Sequence, residues 1–388
     1  MGKWLMSDFT LLNKTDDAVL FETATAANGR LIGLITLNAP KSLNALNFNM
    51  IKLLTPQLKA WANDDAIAMV ILKGAGEKAF CSGGDVVSLY HAMAQGEPTS
   101  LVEEFFTQEY KLDYLIHTYV KPILVWGNGI VMGGGLGLMA GASHRVVTET
   151  SRIAMPEQTI GLYPDVGGSH FLHNMPKSVG LFLGLTSASI NCDDACFVSL
   201  ADHFIDSSLY NTMLNTILAT SWATTPSDNH TVLTNLLNQL NAQSADMPKG
   251  NVKANLDTIQ QLGDLSTLQQ QVDYLLNLNT DDKWLQRAQK SLKHGCPLSC
   301  ALVSEQLKAS KDKSLLDCFK MELGMSVRAG EVGEFQEGVR ALLIDKDGAP
   351  NWQYKTLSDV PQTIIESFFA NRFGENHPLD DLDTATQK

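Results

Sequence analysis

Short runs of aliphatic and β-branched residues alternate with helical periodicities between about residues 30 and 206. Leu31 to Leu37 is an apolar run that predicts a strand, stopped by Asn38-Ala39-Pro40. Residues 47–62 place Met50, Ile51, Leu54, Leu58 and Trp61 at the spacing of one helix face. Met69 to Leu72 predicts a second strand, which runs into a loop from Gly74 to Gly84. A helical stretch follows near 99–118. Pro122 to Val125 predicts a third strand ending in Gly127-Asn128-Gly129, and Arg145 to Thr148 a fourth. Repeated β-α units of this kind define an α/β domain. Beyond about 207 the chain turns to Asn, Gln, Leu, Ser and Asp with helical periodicity. The expected division is therefore an α/β core over 1–206 and a mostly helical region over 207–388. Polar stretches at 223–231 and 244–251 predict loops, and the tail after Pro378 is expected to fray.

Composition narrows this picture. With 388 residues, 44% of them hydrophobic and 18% charged, the chain can bury a large core. The formal net charge of -13 opposes general binding to nucleic acid or an anionic membrane, so neither is expected as a partner. Six cysteines, at 81, 192, 196, 296, 300 and 318, include no C-x-x-C pair and predict reduced thiols without disulfides. Met1 to Thr10 offers neither the apolar run of a signal peptide nor the arginines of a transit peptide, and Met6 offers an alternative start. No stretch reaches the roughly 18 to 20 unbroken apolar residues of a membrane span. The expectation is a soluble cytoplasmic protein.

Three segments can carry chemistry. Lys78-Ala79-Phe80-Cys81-Ser82-Gly83-Gly84-Asp85 follows a strand and leads into a helix, where adjacent glycines let backbone N–H groups approach a ligand oxygen. Taken alone, the segment is explained more simply as an ordinary strand-to-helix turn. Gly129-Ile130-Val131-Met132-Gly133-Gly134-Gly135-Leu136-Gly137 repeats the arrangement before an apolar helix reaching Ala142. Residues 135–140 also satisfy G-x-G-x-x-A, yet a dinucleotide turn belongs to the first β-α unit and here at least two strands precede it. In the third segment, Ala154 to Gly168, Glu157 and Asp165 stand eight residues apart among Gly and Pro. A carboxylate between apolar residues is costly unless it is functional or paired. Helix capping is the plain alternative, above all for Asp165 before Val166-Gly167-Gly168. The sequence contains no G-x-S-x-G elbow, P-loop or H-E-x-x-H. Its nine histidines are scattered, with only His170 and His173 close together, and no metal site is expected.

Taken in order, these segments resemble the crotonase (enoyl-CoA hydratase/isomerase) superfamily, beginning at Leu37-Asn38-Ala39-Pro40-Lys41-Ser42-Leu43-Asn44-Ala45-Leu46 and continuing to about 206. Gln108-Glu109-Tyr110, the stretch from Met155-Pro156-Glu157 to Gly168, and Glu337-Gly338-Val339-Arg340-Ala341 through Asp347 resemble the branch that hydrolyses 3-hydroxyisobutyryl-CoA. The resemblance implies a spiral of β-β-α units with a mostly helical C-terminal region. It also implies an oxyanion hole from the N–H groups of Gly84 and Gly134, and an acyl pocket lined by Glu109, Glu157 and Asp165. CoA would lie along Leu43, Ala45 and Ser82, with Lys41 as a phosphate contact. Hydratases place a glutamate two residues after the glycine triplet, where this chain has Gly137. The expected activity is thioester hydrolysis with no cofactor beyond the CoA of the substrate. An enoyl- or dienoyl-CoA isomerase is the alternative, and a CoA-binding or assembly protein without turnover the third. A homo-oligomer is an open expectation.

Overall fold

The computed structural model describes residues 9–94 and 98–382. A start at Met6 and the last residues of the expected tail lie outside them. Among the described residues ten strands form two sheets. The larger holds β1 (Thr10–Leu11), β2 (Val19–Thr25), β3 (Leu31–Leu37), β4 (Ile67–Gly74), β6 (Ile123–Gly127), β8 (His144–Val147) and β10 (His203–Phe204), side by side in that order. It is antiparallel as far as β3 and parallel from there on. The smaller sheet runs β5 (Ala79–Cys81), β7 (Ile130–Met132), β9 (Arg152–Ala154). The helices interleaved with them are α1 (Phe48–Asn63), α2 (Val86–Ala94), α3 (Pro98–His117), α4 (Gly134–Ala140) and α5 (Gly168–His173). From β4 to α5 each turn of the chain thus gives one strand to the large sheet, the next to the small one, and then helix, which is the expected β-β-α spiral.

Parallel strands covered on both faces read as continuous apolar runs, which is why β3, β4 and β6 were legible. One face of the large sheet, carrying Ile71, Leu124, Trp126 and Val146, is buried against Met213, Ile217, Leu233 and Leu237 of the helices Tyr210–Ala219 and Pro226–Asn241. A fully buried side chain of this kind stabilises by roughly 1.5–3 kcal/mol. The strands that sequence patterning misses are β1, β10 and the three-residue members of the small sheet, too short for a period, and β2, whose alternation is weak.

Several expectations need correction. The predicted loop at 223–231 is helical from Pro226, because Thr225 accepts from the Asp228 N–H and proline suits the first helical position. The chain after Pro378 does not fray at once: Leu379 is fully buried, Asp380 pairs with Lys320 and Asp381 with Lys111. Nor are all histidines scattered, since His144 stacks between His203 and His230, and burial pushes its imidazole down to about 4. No cluster able to hold a metal ion occurs among the described residues. None of the six cysteines is in a disulfide, and all but Cys196 are buried.

Past residue 206 every described element is helical. The compact units are nevertheless not cut at that point. One comprises residues up to 84, 112–153 and 190–250, with both sheets' strands and the helices covering them. The other comprises 85–111, 154–189 and 251 onward, and is almost wholly helical.

Candidate active site

The first unit holds the glycine turns and the loop leading to α1. Leu43 and Asn44 both adopt left-handed backbone (φ 54 and 57), folding residues 40–45 into a tight turn. Asn44, 1% exposed, fastens this turn: its Oδ1 accepts from Ala39 N–H (3.1 Å), and its Nδ2 donates to the carbonyls of Ala75 (3.0 Å) and Ala79 (2.9 Å). Ser82 N–H donates to Leu43 O (3.1 Å), and Ser82 Oγ donates to Ser42 O (3.3 Å). Lys41 is exposed on the turn and Ala45 half-buried. Leu46 N–H donates to Gly83 O (2.8 Å) in a parallel bridge whose register leaves the Gly84 N–H out.

Beyond β7, Gly133 turns the chain at φ 49, ψ -128, a conformation essentially confined to glycine. Gly134 then begins α4, so its N–H is one of the donors that a helix start leaves without an internal acceptor. Gly135 lies on β5 so closely that a Cβ would sit 2.4 Å from Cys81 O. A Cβ on Gly83 would lie 3.9 Å from Gly134 N, so the two glycine turns are in contact. Gly84 and Gly134 therefore stand on two turns that touch, the one left out of the bridge to Leu46 and the other at the start of a helix. Gly137 is buried in α4 and presents no side chain.

The second unit holds the carboxyls. Glu109 on α3, Glu157 and Asp165 are 2%, 5% and 4% exposed. Glu157 opens a 3-10 turn (Glu157–Ile160) closed by Gly161 in left-handed conformation (φ 73). Burial holds the carboxyls of Glu109 and Glu157 well above the usual range, and the neighbouring Asp165 charge raises them further. Asp165 is itself pushed up to about 6 by burial, against the lowering effect of the Tyr110 hydrogen bond (Oη to Oδ2, 2.7 Å). One oxygen of Glu109 and one of Glu157 are buried without a hydrogen-bond partner. Burial and the mutual repulsion of these carboxyls oppose the ionisation of all three together, the condition under which one can serve as an acid and another as a base.

The capping alternative for Asp165 does not hold. α5 has no side-chain cap at its start, and Glu322 Oε2 and Oε1 instead accept from Gly167 N–H (2.8 Å) and Ser169 N–H (2.7 Å). Asp165 is left free for Tyr110, on a loop whose next residue, Val166, is forced to φ 51. Glu157 is not an N-cap residue either: that place belongs to Pro156, and Glu157 is the first residue of its turn. Sequence reasoning missed Glu322, Ser326 and Tyr163, whose partners lie more than 150 residues away along the chain. It also gave no role to Asn44 or Tyr110.

The chain belongs to the enoyl-CoA hydratase/isomerase family, whose model matches residues 32–369. Among curated relatives it is 38% identical over 362 residues, 92% of this chain and 91% of the relative, to the Danio rerio protein named 3-hydroxyisobutyryl-CoA hydrolase, mitochondrial. The protein of that name from Dictyostelium discoideum is 34% identical over 360 residues, 91% of each. Among solved structures, an enoyl-CoA hydratase from Rhodobacter sphaeroides 2.4.1 is similar with TM-score 0.77 and 30% identity, covering 90% of this chain and 97% of that one. A carnitinyl-CoA dehydratase from Mycobacterium thermoresistibile gives TM-score 0.77 and 30% identity over 94% and 96%. The relatives' mitochondrial names overturn the expectation of a cytoplasmic protein. That expectation rested on the lack of an arginine-rich leader, and such a lack carries no information about compartment.

Proposed function

We propose that this protein hydrolyses a short branched 3-hydroxyacyl-CoA, 3-hydroxyisobutyryl-CoA in the first instance, to CoA and the free hydroxy acid, a step of valine breakdown. The observation that carries this reading is the trio of buried acids, Glu109, Glu157 and Asp165, in a chain similar along nine-tenths of its length to hydrolases of that name. The hydratase glutamate has no counterpart, because α4 offers only Gly137 there.

The N–H groups of Gly84 and Gly134 take the thioester oxygen as it becomes anionic; loss of one such donor typically costs about 2.7–4 kcal/mol. Glu157 acts at the carbonyl carbon, bonding to it as a mixed anhydride or taking a proton from the attacking water. Glu109 and Asp165 hold the substrate hydroxyl and the proton needed by the departing sulfur. Leu43, Ala45 and Ser82 hold the CoA through their backbone, with Lys41 toward its phosphates. The reaction as drawn uses no metal or redox cofactor. A homo-oligomer is compatible with it, and sedimentation velocity measures that.

Release of free thiol from 3-hydroxyisobutyryl-CoA tests the proposal, since an isomerase gives none. Glu157→Gln should lower kcat by at least about 100-fold. Single turnover in oxygen-18 water separates the two routes, because only an anhydride leaves label in Glu157.

A further inference from the structure

Four short oxygen–oxygen contacts run in a line through the second unit. Asp165 Oδ2 meets Tyr110 Oη, Tyr110 Oη meets Ser326 Oγ, Ser326 Oγ meets Tyr163 Oη, and Tyr163 Oη meets the carbonyl of Glu322, each at 2.7 Å. Tyr110, Ser326, Tyr163 and Glu322 are fully buried. Each contact needs one proton, and the three hydroxyls bring three. The far end is a carbonyl, which only accepts, so the fourth proton can come from one place.

When Asp165 is ionised, Tyr110 donates to it. One of the remaining contacts is then left with lone pair facing lone pair in a buried site, which is costly. When Asp165 is protonated, its O–H donates to Tyr110, Tyr110 to Ser326, Ser326 to Tyr163 and Tyr163 to the carbonyl. Every contact is then filled. We propose that Ser326 and Tyr163 are positioning residues that keep the proton on Asp165, so that it works as the acid that protonates the departing CoA sulfur. The inference rests on Asp165 standing at the thioester as read above. In the step itself the Asp165 O–H bond breaks and an S–H bond forms while the C–S bond opens. The proton that water gives up to Glu157 then restores Asp165, and no other reactant is needed.

The titratable groups facing Asp165 are Glu109 and Tyr110 from α3, Glu157 from its 3-10 turn, Tyr163 from its own loop and Glu322 from the helix Leu315–Val332. All are acids, and a negative charge on any of them also favours the proton on Asp165.

Infrared difference spectra of the whole protein labelled with carbon-13 aspartate, with Asp165→Asn identifying the band, follow the Asp165 proton across pH. The pH profile of thiol release is recorded beside them. Tyr163→Phe and Ser326→Ala each remove the contact that lacks a proton, and should lower the Asp165 midpoint by about one pH unit. Ser326→Thr, which keeps the hydroxyl, should return it. Tyr110→Phe strips the ionised carboxylate of its donor and should raise the midpoint. Movement of all these variants in one direction, or a midpoint unmoved in Tyr163→Phe, would overturn the relay. Each replacement removes a single oxygen, and if one variant does not fold the other decides. Unimpaired thiol release in Asp165→Asn would instead remove Asp165 from the reaction, while the infrared midpoints still judge the relay.

Discussion

Asn44 shows what one buried amide can fix. Its three hydrogen bonds join the turn at 40–45 to the segment entering β5, and its own backbone is left-handed. Asn44→Ala would strand the two carbonyls and the N–H it serves, and put alanine where asparagine is better tolerated. Stability should fall by about 2–4 kcal/mol in urea unfolding. Activity should fall mainly through a higher KM, because the turn is the one assigned to CoA. None of this is readable from the sequence, since Ala75 and Ala79 lie some 30 residues on and present only backbone. Glu157, by contrast, was legible as an acid among apolar residues, whereas Asp165 had helix capping as a plain alternative until its place in the order of the three segments was considered. What the sequence could not reveal is that Glu322 takes over the capping that would otherwise have explained Asp165.

At the scale of elements, the segment Glu337 to Asp347 carried resemblance but no chemistry, and its packing supplies a reason. A Cβ on Gly338 would lie 2.3 Å from the Ile160 carbonyl carbon, and one on Gly161 2.3 Å from Glu334 O. The helix Glu334–Val339 therefore lies backbone to backbone on the turn that carries Glu157. Arg340 clips the stretch that follows, bonding Glu337, Asp345 and Asp347. Gly338→Ala should push helix and turn apart, lowering kcat at least tenfold with little change in KM, and costing about 1–3 kcal/mol in thermal or urea unfolding. Apolar runs and helical spacing made the large sheet and α1 legible. Contacts made by the absence of a side chain leave no periodicity to read.

Across the whole molecule, buried acids make stability depend on pH. Burial raises the Glu322 carboxyl from its ordinary 4.5 to about 8, so between those values the folded chain holds a proton that the unfolded chain has lost. Its contribution is complete below about pH 4.5 and declines as pH rises to about 8, by up to ~1.4 kcal/mol per unit. Asp165 adds a smaller decline between 3.8 and about 6. Urea midpoints measured from pH 5 to 8 should therefore fall, and less steeply in Glu322→Gln. The thiols respond to burial in the same sense. Cys192 and Cys300 are pushed up to about 11, and Cys296 and Cys318 to about 12. At neutral pH fewer than roughly one in a thousand of each is a thiolate, the only form that attacks. A brief treatment of the native protein with iodoacetamide should label Cys196 at most. A protein that turns over thioesters meets activated acyl groups and a free thiol in every cycle, and either could transfer to an exposed cysteine. With every sulfur but that of Cys196 buried, it can live among its own substrates and products with little to acylate or to draw into mixed disulfides.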